Sequence, residues 1–127
     1  MRYLLDTNIV IAYLNNEMLI IEKVESLDDI YISSVILGEL YFGANLSSYK
    51  DKNFNRINEF LLESYVFDVT SQTAYEYALI KSKLKTMGKP LPDNDIWIAA
   101  IAQEHNMTIL TRDKHFLTLD FIKTEIW

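Results

Sequence analysis

Residues 3–6, Tyr3-Leu4-Leu5-Asp6, and residues 108–113, Thr108-Ile109-Leu110-Thr111-Arg112-Asp113, share one form: a short apolar or β-branched run that stops at an acid. Runs of this length and composition read as strands, here 2–5 and 108–111. Ile30-Tyr31-Ile32-Ser33 and Tyr65-Val66-Phe67-Asp68-Val69 read the same way, with a weaker fifth strand near 121–126. Between them lie segments with helical spacing, Phe54, Ile57, Phe60 and Leu61 in one and Tyr77, Ile80, Leu84 and Met87 in another. Strands alternating with helices predict an α/β fold whose mainly parallel sheet is covered on both faces.

Ser33 or Ser34 is placed to cap a helix running to about Ala44, and Thr70 or Ser71 one running to about Met87. Gly88-Lys89-Pro90-Leu91-Pro92 then interrupts the chain, and Asp93 or Asn94 is the expected cap of a helix ending near Asn106. The expected exposed loop is 45–53. A chain of 127 residues fits one domain, expected over 1–127, with no repeat or linker.

Composition narrows the chemistry. Half the residues are hydrophobic, yet charges interrupt every long run, and the early Asp6 leaves no room for the apolar core of a signal peptide. The expectation is a soluble, cytoplasmic protein with no membrane contact. The absence of cysteine removes disulfides, thiolate zinc sites and thiol nucleophiles, and His105 and His115 are too few for an imidazole-rich metal site. A net charge of −6 argues against a large basic surface for nucleic acid, unless several carboxylates belong to one site that a divalent cation neutralises.

Four acids fit such a site: Asp6 and Asp113 after strands, Glu39 within Gly38-Glu39-Leu40, and Asp95 opening Ile96-Trp97-Ile98-Ala99-Ala100. In an open α/β sheet, ligands bind outside the carboxyl ends of the strands, where acids from strand ends and the following helices converge. Each acid has a plainer reading. Asp6 reads equally well as a helix cap. Glu39 has Val35, Ile36, Phe42 and Gly43 as helical neighbours, none of them cationic, so an acid on that apolar face needs a partner or a metal. Asp95 could merely complement the helix dipole, but it lies on the side of Ile98 and Ala99, whereas Asp93 reads as a cap. Asp113, between Arg112 and Lys114, reads in isolation as a surface turn.

The four acids in this order resemble the PIN-domain ribonucleases, and most closely the VapC toxins of toxin–antitoxin pairs. The matching stretches are Leu4-Leu5-Asp6-Thr7-Asn8, Ile32-Ser33-Ser34 through Gly38-Glu39-Leu40 with Gly43, Asn94-Asp95-Ile96-Trp97-Ile98-Ala99-Ala100, and Thr108-Ile109-Leu110-Thr111-Arg112-Asp113 with His115-Phe116. The resemblance covers essentially the whole chain. It implies a PIN-like three-layer α/β/α sandwich and a metal-dependent endoribonuclease. The implied catalytic acids and ligands for Mg2+ or Mn2+ are Asp6, Glu39, Asp95 and Asp113, supported by the side chains of Asn8 and Thr111. It further implies water as nucleophile, products with 5′-phosphate and 3′-hydroxyl ends, a cognate VapB-type antitoxin and a homodimer. Tyr41, Phe42 and Tyr49 could supply an apolar interface, although core packing is the plainer role for such rings.

Lys81 and Lys85, one helical turn apart, and Arg112 are candidate RNA contacts; a solvated helix face is the simpler account of the lysines. With glycine only at 38, 43 and 88, no GxGxxG or Walker loop exists. Two rivals remain, a catalytically inactive PIN-type binding module and an acid-rich α/β phosphatase. The phosphatase requires an aspartate two residues after Asp6, where Asn8 stands.

Overall fold

The computed structural model describes residues 1–127. In chain order the elements are β1 (Tyr3–Leu5), α1 (Thr7–Leu14), α2 (Met18–Glu25), β2 (Ile30–Ser33), α3 (Ser34–Leu46), α4 (Lys50–Leu61), β3 (Ser64–Phe67), α5 (Ser71–Met87), α6 (Asp93–Glu104), β4 (Thr108–Thr111), a 3-10 turn (Lys114–Thr118) and β5 (Thr124–Ile126). The five strands form one sheet in the order β3-β2-β1-β4-β5, and every pairing is parallel. The chain lays strands outward from β1 in one direction and then returns to add β4 and β5 on its other side. Right-handed crossovers therefore put α1–α4 and α5–α6 on opposite faces, producing the three layers.

Burial explains why these short runs are strands. Leu4 and Leu5 of β1, Ile32 of β2 and all of β4 are buried, as expected where helices cover both faces of a parallel sheet. α6 is enclosed almost all round, with Ile96 and the run Ile98 to Ala102 buried. Its small alanines let the backbone approach the sheet. No helix is long and apolar enough to cross a membrane.

Several boundaries differ from the sequence reading. The expected loop 45–53 shrinks to 47–49, because α3 continues to Leu46 and α4 begins at Lys50. Ser47 holds the tight connection by accepting hydrogen bonds from the Tyr49 backbone N–H and from Asn53 Nδ2. β3 ends at Phe67, and 121–123 precede β5 rather than belonging to it. The sequence reading offers Asp6 as a helix cap but gives α1 no extent and omits α2; α1 has only eight residues, several of them β-branched, and its periodicity is correspondingly weak. α6 starts after Pro92, so Asp93 is its first helical residue and not its cap. The Asp93 carboxylate instead accepts from Tyr77 Oη at 2.9 Å and from Lys81 Nζ at 3.1 Å.

Capping at the other sites follows the sequence. Ser33 Oγ accepts from the Ile36 N–H. Thr70 and Thr73 form a reciprocal capping box at the start of α5. At its end Gly88 takes φ +66°, which only glycine adopts without cost.

Candidate active site

The strand order reverses at β1, which leaves a crevice between β1 and β4 at their carboxyl ends. Asp6 sits at the rim of this crevice. Its backbone N–H donates to the Leu110 carbonyl across the β1–β4 pair at 2.9 Å, and its side chain caps α1 by accepting from the Thr7 N–H at 2.8 Å. Asp6 is only 5% exposed. Thr111 Oγ1 donates to Asp6 Oδ2 at 2.7 Å, while Asn8 Nδ2 reaches both Asp6 Oδ2, at 3.3 Å, and Thr111 Oγ1, at 3.1 Å. The cap reading of Asp6 and its place in the site are thus compatible: one oxygen serves the helix, and the other serves Thr111 and Asn8.

The same threonine organises the turn that carries Asp113. Thr111 Oγ1 accepts from the Asp113 N–H at 2.9 Å, and Asn8 Oδ1 accepts from the Arg112 N–H at 3.0 Å. Asp113 is held by its own turn: its Oδ1 accepts from the His115 backbone N–H at 2.9 Å and lies 2.9 Å from the imidazole Nδ1 of the same residue.

Glu39 and Asp95 complete the acidic end from two helices. Glu39, on α3, is half-buried, yet its Oε1 is enclosed and makes no hydrogen bond; the Thr7 hydroxyl is likewise enclosed and unpartnered. Asp95, in the first turn of α6, is also half-buried. Electrostatics tie the acids together. Burial, then the charges of Asp6 and Asp95, raises the Glu39 carboxyl above its ordinary range, with only partial relief from the nearby Thr7 hydroxyl. Burial, then Asp6 and Asp113, pushes Asp95 up to about 6, slightly eased by His115. Asp6 is raised as well, chiefly by burial and further by Asp113, against the hydrogen bonds from Thr111, Thr7 and Asn8.

The four carboxylates therefore feel one another, but no three acids or histidines stand close enough to form a ready-made cage. Their donors still fit a hard divalent cation. The donor set is carboxylate oxygen, and Glu39 Oε1 is an enclosed acceptor with only the nearby Thr7 hydroxyl to ease it. A magnesium ion needs only one or two direct carboxylates, keeping water in its other positions.

The remaining sequence candidates divide. Arg112 forms a two-pronged ion pair with Glu17, at 2.8 and 3.2 Å, which turns its guanidinium away from free service. Lys81 is held by Asp93 and Tyr77, and Lys85 is free of ion pairs. His105 ends α6 and packs against Phe67, with centroids 4.2 Å apart and the rings tilted by 36°. Tyr41 packs on Phe54, whereas Phe42 and Tyr49 are exposed. Sequence reasoning passed over Thr7, although a hydroxyl in the first turn after a site acid was a readable signal. It also passed over a groove of about 250 Å3 that runs between α1, α3 and α4 up to Glu39, lined by Ile11, Leu40, Ala44, Arg56 and Ile57 among others.

Comparison with known proteins agrees with this fold. The family model described as PIN domain matches residues 3–122. Ribonuclease VapC2 of Haemophilus influenzae is 32% identical over an alignment covering 100% of this chain and 98% of that protein. The tRNA(fMet)-specific endonuclease VapC of Shigella flexneri is 29% identical with the same coverage. Among solved structures, VapBC2 from Rickettsia felis bound to a DNA fragment from its promoter superimposes with a TM-score of 0.93 at 27% identity, covering 100% of this chain and 99% of that one.

Proposed function

The chain belongs to the PIN-domain family, and on that premise we propose that it is the endoribonuclease toxin of a VapBC-type toxin–antitoxin pair, using Mg2+ or Mn2+ held by Asp6, Glu39, Asp95 and Asp113. The observation that carries the metal-dependent part is the convergence of acids: Asp6, Glu39 and Asp95 are all raised by burial and by one another's or Asp113's charge, and the enclosed Glu39 Oε1 has no help beyond the partial relief of the nearby Thr7 hydroxyl. A buried acceptor in that state is costly unless a cation or a donor completes it.

The roles of the residues follow from their contacts. Asp6 is fixed by Thr7, Thr111 and Asn8, so its free electron pairs point in a defined direction and need little reorganisation when a ligand arrives. Thr111 sets Asp6 and the Asp113 turn relative to each other through one oxygen. Asp95 and Glu39 approach from separate helices and close the site on its other sides. A divalent cation, when bound, supplies charge that orients the scissile phosphate, lowers the pKa of an attacking water and stabilises the leaving oxygen. The raised Asp95 has a second consequence: with its carboxyl pushed up to about 6, it keeps a proton in mild acid in the absence of a cation, so loading one there releases that proton.

Asn8 leaves no place for the phosphatase chemistry. Its amide is occupied by Asp6, Thr111 and the Arg112 N–H, and an amide cannot act as the general acid that chemistry needs.

The antitoxin is the natural occupant of the groove that ends at Glu39. Its mixed lining, Ile11, Leu40, Ala44 and Ile57 beside Asn15, Asn53 and Arg56, suits an amphipathic segment, and a cationic side chain at the end of that segment would meet the carboxylates in place of the metal.

Purified protein incubated with mixed RNA should cleave it in Mg2+ or Mn2+, stop in excess EDTA and resume when metal is restored. Asp95→Asn should keep the circular dichroism of the parent and lose activity by at least about a hundredfold, as removal of one preorganised charged group does elsewhere. Cleavage that persists in EDTA would overturn the metal assignment, and RNA left intact under every metal condition would leave only the binding-module reading.

A further inference from the structure

At the end of α5 that meets the start of α6, the two helices part around a cleft of about 310 Å3, lined by Lys81, Leu84, Lys85, Lys89, Leu91 and Ile96 among others. Lys81, Lys83, Lys85 and Lys89 fall within nine residues, and no Asp or Glu occurs between Glu76 and Asp93, in a chain of net charge −6. The structure sorts these four cations. Lys81 is spent on Asp93 and Tyr77, and Lys83 lies over the Phe121 ring at 4.0 Å. Lys85 and Lys89 are exposed and pair with no carboxylate.

Their positions are fixed by the helix end. The Gly88 N–H donates to the Lys85 carbonyl at 3.2 Å and the Lys89 N–H to the Leu84 carbonyl at 3.0 Å, the paired closure that turns a chain back over its own last turn. Gly88, in the left-handed region, makes that reversal possible, so Lys89 returns to the side of Lys85 instead of leaving it. The apolar residues Leu84, Leu91 and Ile96 form the floor between the two exposed lysines and offer no competing anion. Ile96 directly follows Asp95 on α6, so the cleft adjoins the carboxylate site around the amino end of that helix. A polyanion entering a pocket of four acids is repelled unless cations beside the pocket hold its flanking charges.

We propose that Lys85 and Lys89 form a subsite that grips an RNA backbone phosphate flanking the scissile one, with Lys81 as the braced wall of the cleft. The inference rests on the ribonuclease reading and names how that site takes its substrate. A backbone contact of this kind is independent of base sequence and sensitive to salt.

The test uses the full chain and a fluorescently labelled single-stranded RNA. Binding is read by polarisation in an Asp95→Asn background, where the RNA stays intact, and cleavage kinetics are read in the parent. Lys85→Ala with Lys89→Ala should raise Kd and KM about tenfold, hold kcat within about twofold and reduce the slope of log Kd against log salt by about 1. Lys123→Ala, just before β5 at the amino edge of the sheet, opposite the strand ends that carry the acids, should change none of these. Unchanged Kd, KM and salt slope in the Lys85/Lys89 variant overturn the subsite, as does a loss confined to binding of an acidic protein partner. Because binding is measured apart from cleavage, a parent that binds RNA without cutting it would sink the ribonuclease reading and still decide the subsite.

Discussion

Thr111 shows how much of the site depends on one neutral side chain. It is fully buried, donates to Asp6, and accepts from Asn8 and from the Asp113 N–H. Replacing it with valine leaves those partners unsatisfied in a place water barely reaches, at a cost of about 1–3 kcal/mol. Thr111→Val should therefore lower the denaturation midpoint and raise the Asp6 carboxyl further, measurable by urea unfolding and by a shifted pH–activity profile; a variant as stable as the parent would show the network to be incidental. Asp95 gives the pH signature. Its carboxyl is raised from the ordinary 3.8 to about 6, so the native state binds that proton more tightly than the unfolded chain does. Its contribution to stability is then most favourable in acid and is lost as pH rises through about 6. In EDTA, Asp95→Asn should melt close to the parent near pH 4 and above it at pH 7. A gap that stays constant or closes with rising pH would contradict the assignment.

At the scale of elements, helix ends place the chemistry. Asp6 caps α1 while facing the crevice, Asp95 occupies the first turn of α6, and Gly88 reverses the chain so that α6 can start beside α5. The clearest element-level test lies away from the acids. Thr70 caps α5 by accepting from the Thr73 N–H and donates to Glu104 Oε2, so it ties the start of α5 to the end of α6. Thr70→Ala should cost about 1 kcal/mol, the usual value of a lost cap, and leave the cleavage rate per folded molecule unchanged. Circular dichroism melts beside an RNA cleavage assay would check both halves, and a large loss of rate without loss of stability would mean that the α5–α6 pair communicates with the site in some further way.

At the scale of the whole molecule, the central pair β1–β4 both fills the core and carries Asp6 and the Asp113 turn. Leu110 is fully buried at its centre, and its carbonyl accepts the Asp6 N–H. Leu110→Ala should cost about 2–5 kcal/mol, a large part of the stability of a domain this size, and activity should fall in step with the unfolded fraction on warming. A stable but inactive variant would show instead that the strand positions the acids without supporting the fold. β1 and β4 were legible in sequence because burial on both faces demands apolar runs, and the edge strands β3 and β5, which are not buried, through their β-branched and aromatic residues. Asp6, Glu39 and Asp95 stood out as candidates because each acid interrupts or bounds an apolar run. The first two helices and the short α3–α4 connection were not legible, since brief segments carry weak periodicity and polar residues such as Asn53 and Ser47 read as loop until their hydrogen bonds are seen. Residue chemistry and order along the chain thus determined the α/β class, the family resemblance and the candidate acids. Only the tertiary structure decided that β1 and β4 are neighbours at the point where strand order reverses, that Arg112 and Lys81 are engaged by Glu17 and Asp93, and that Glu39 comes up beside Thr7, because each is a contact between residues separated in sequence, and contacts of that kind leave no mark on local composition.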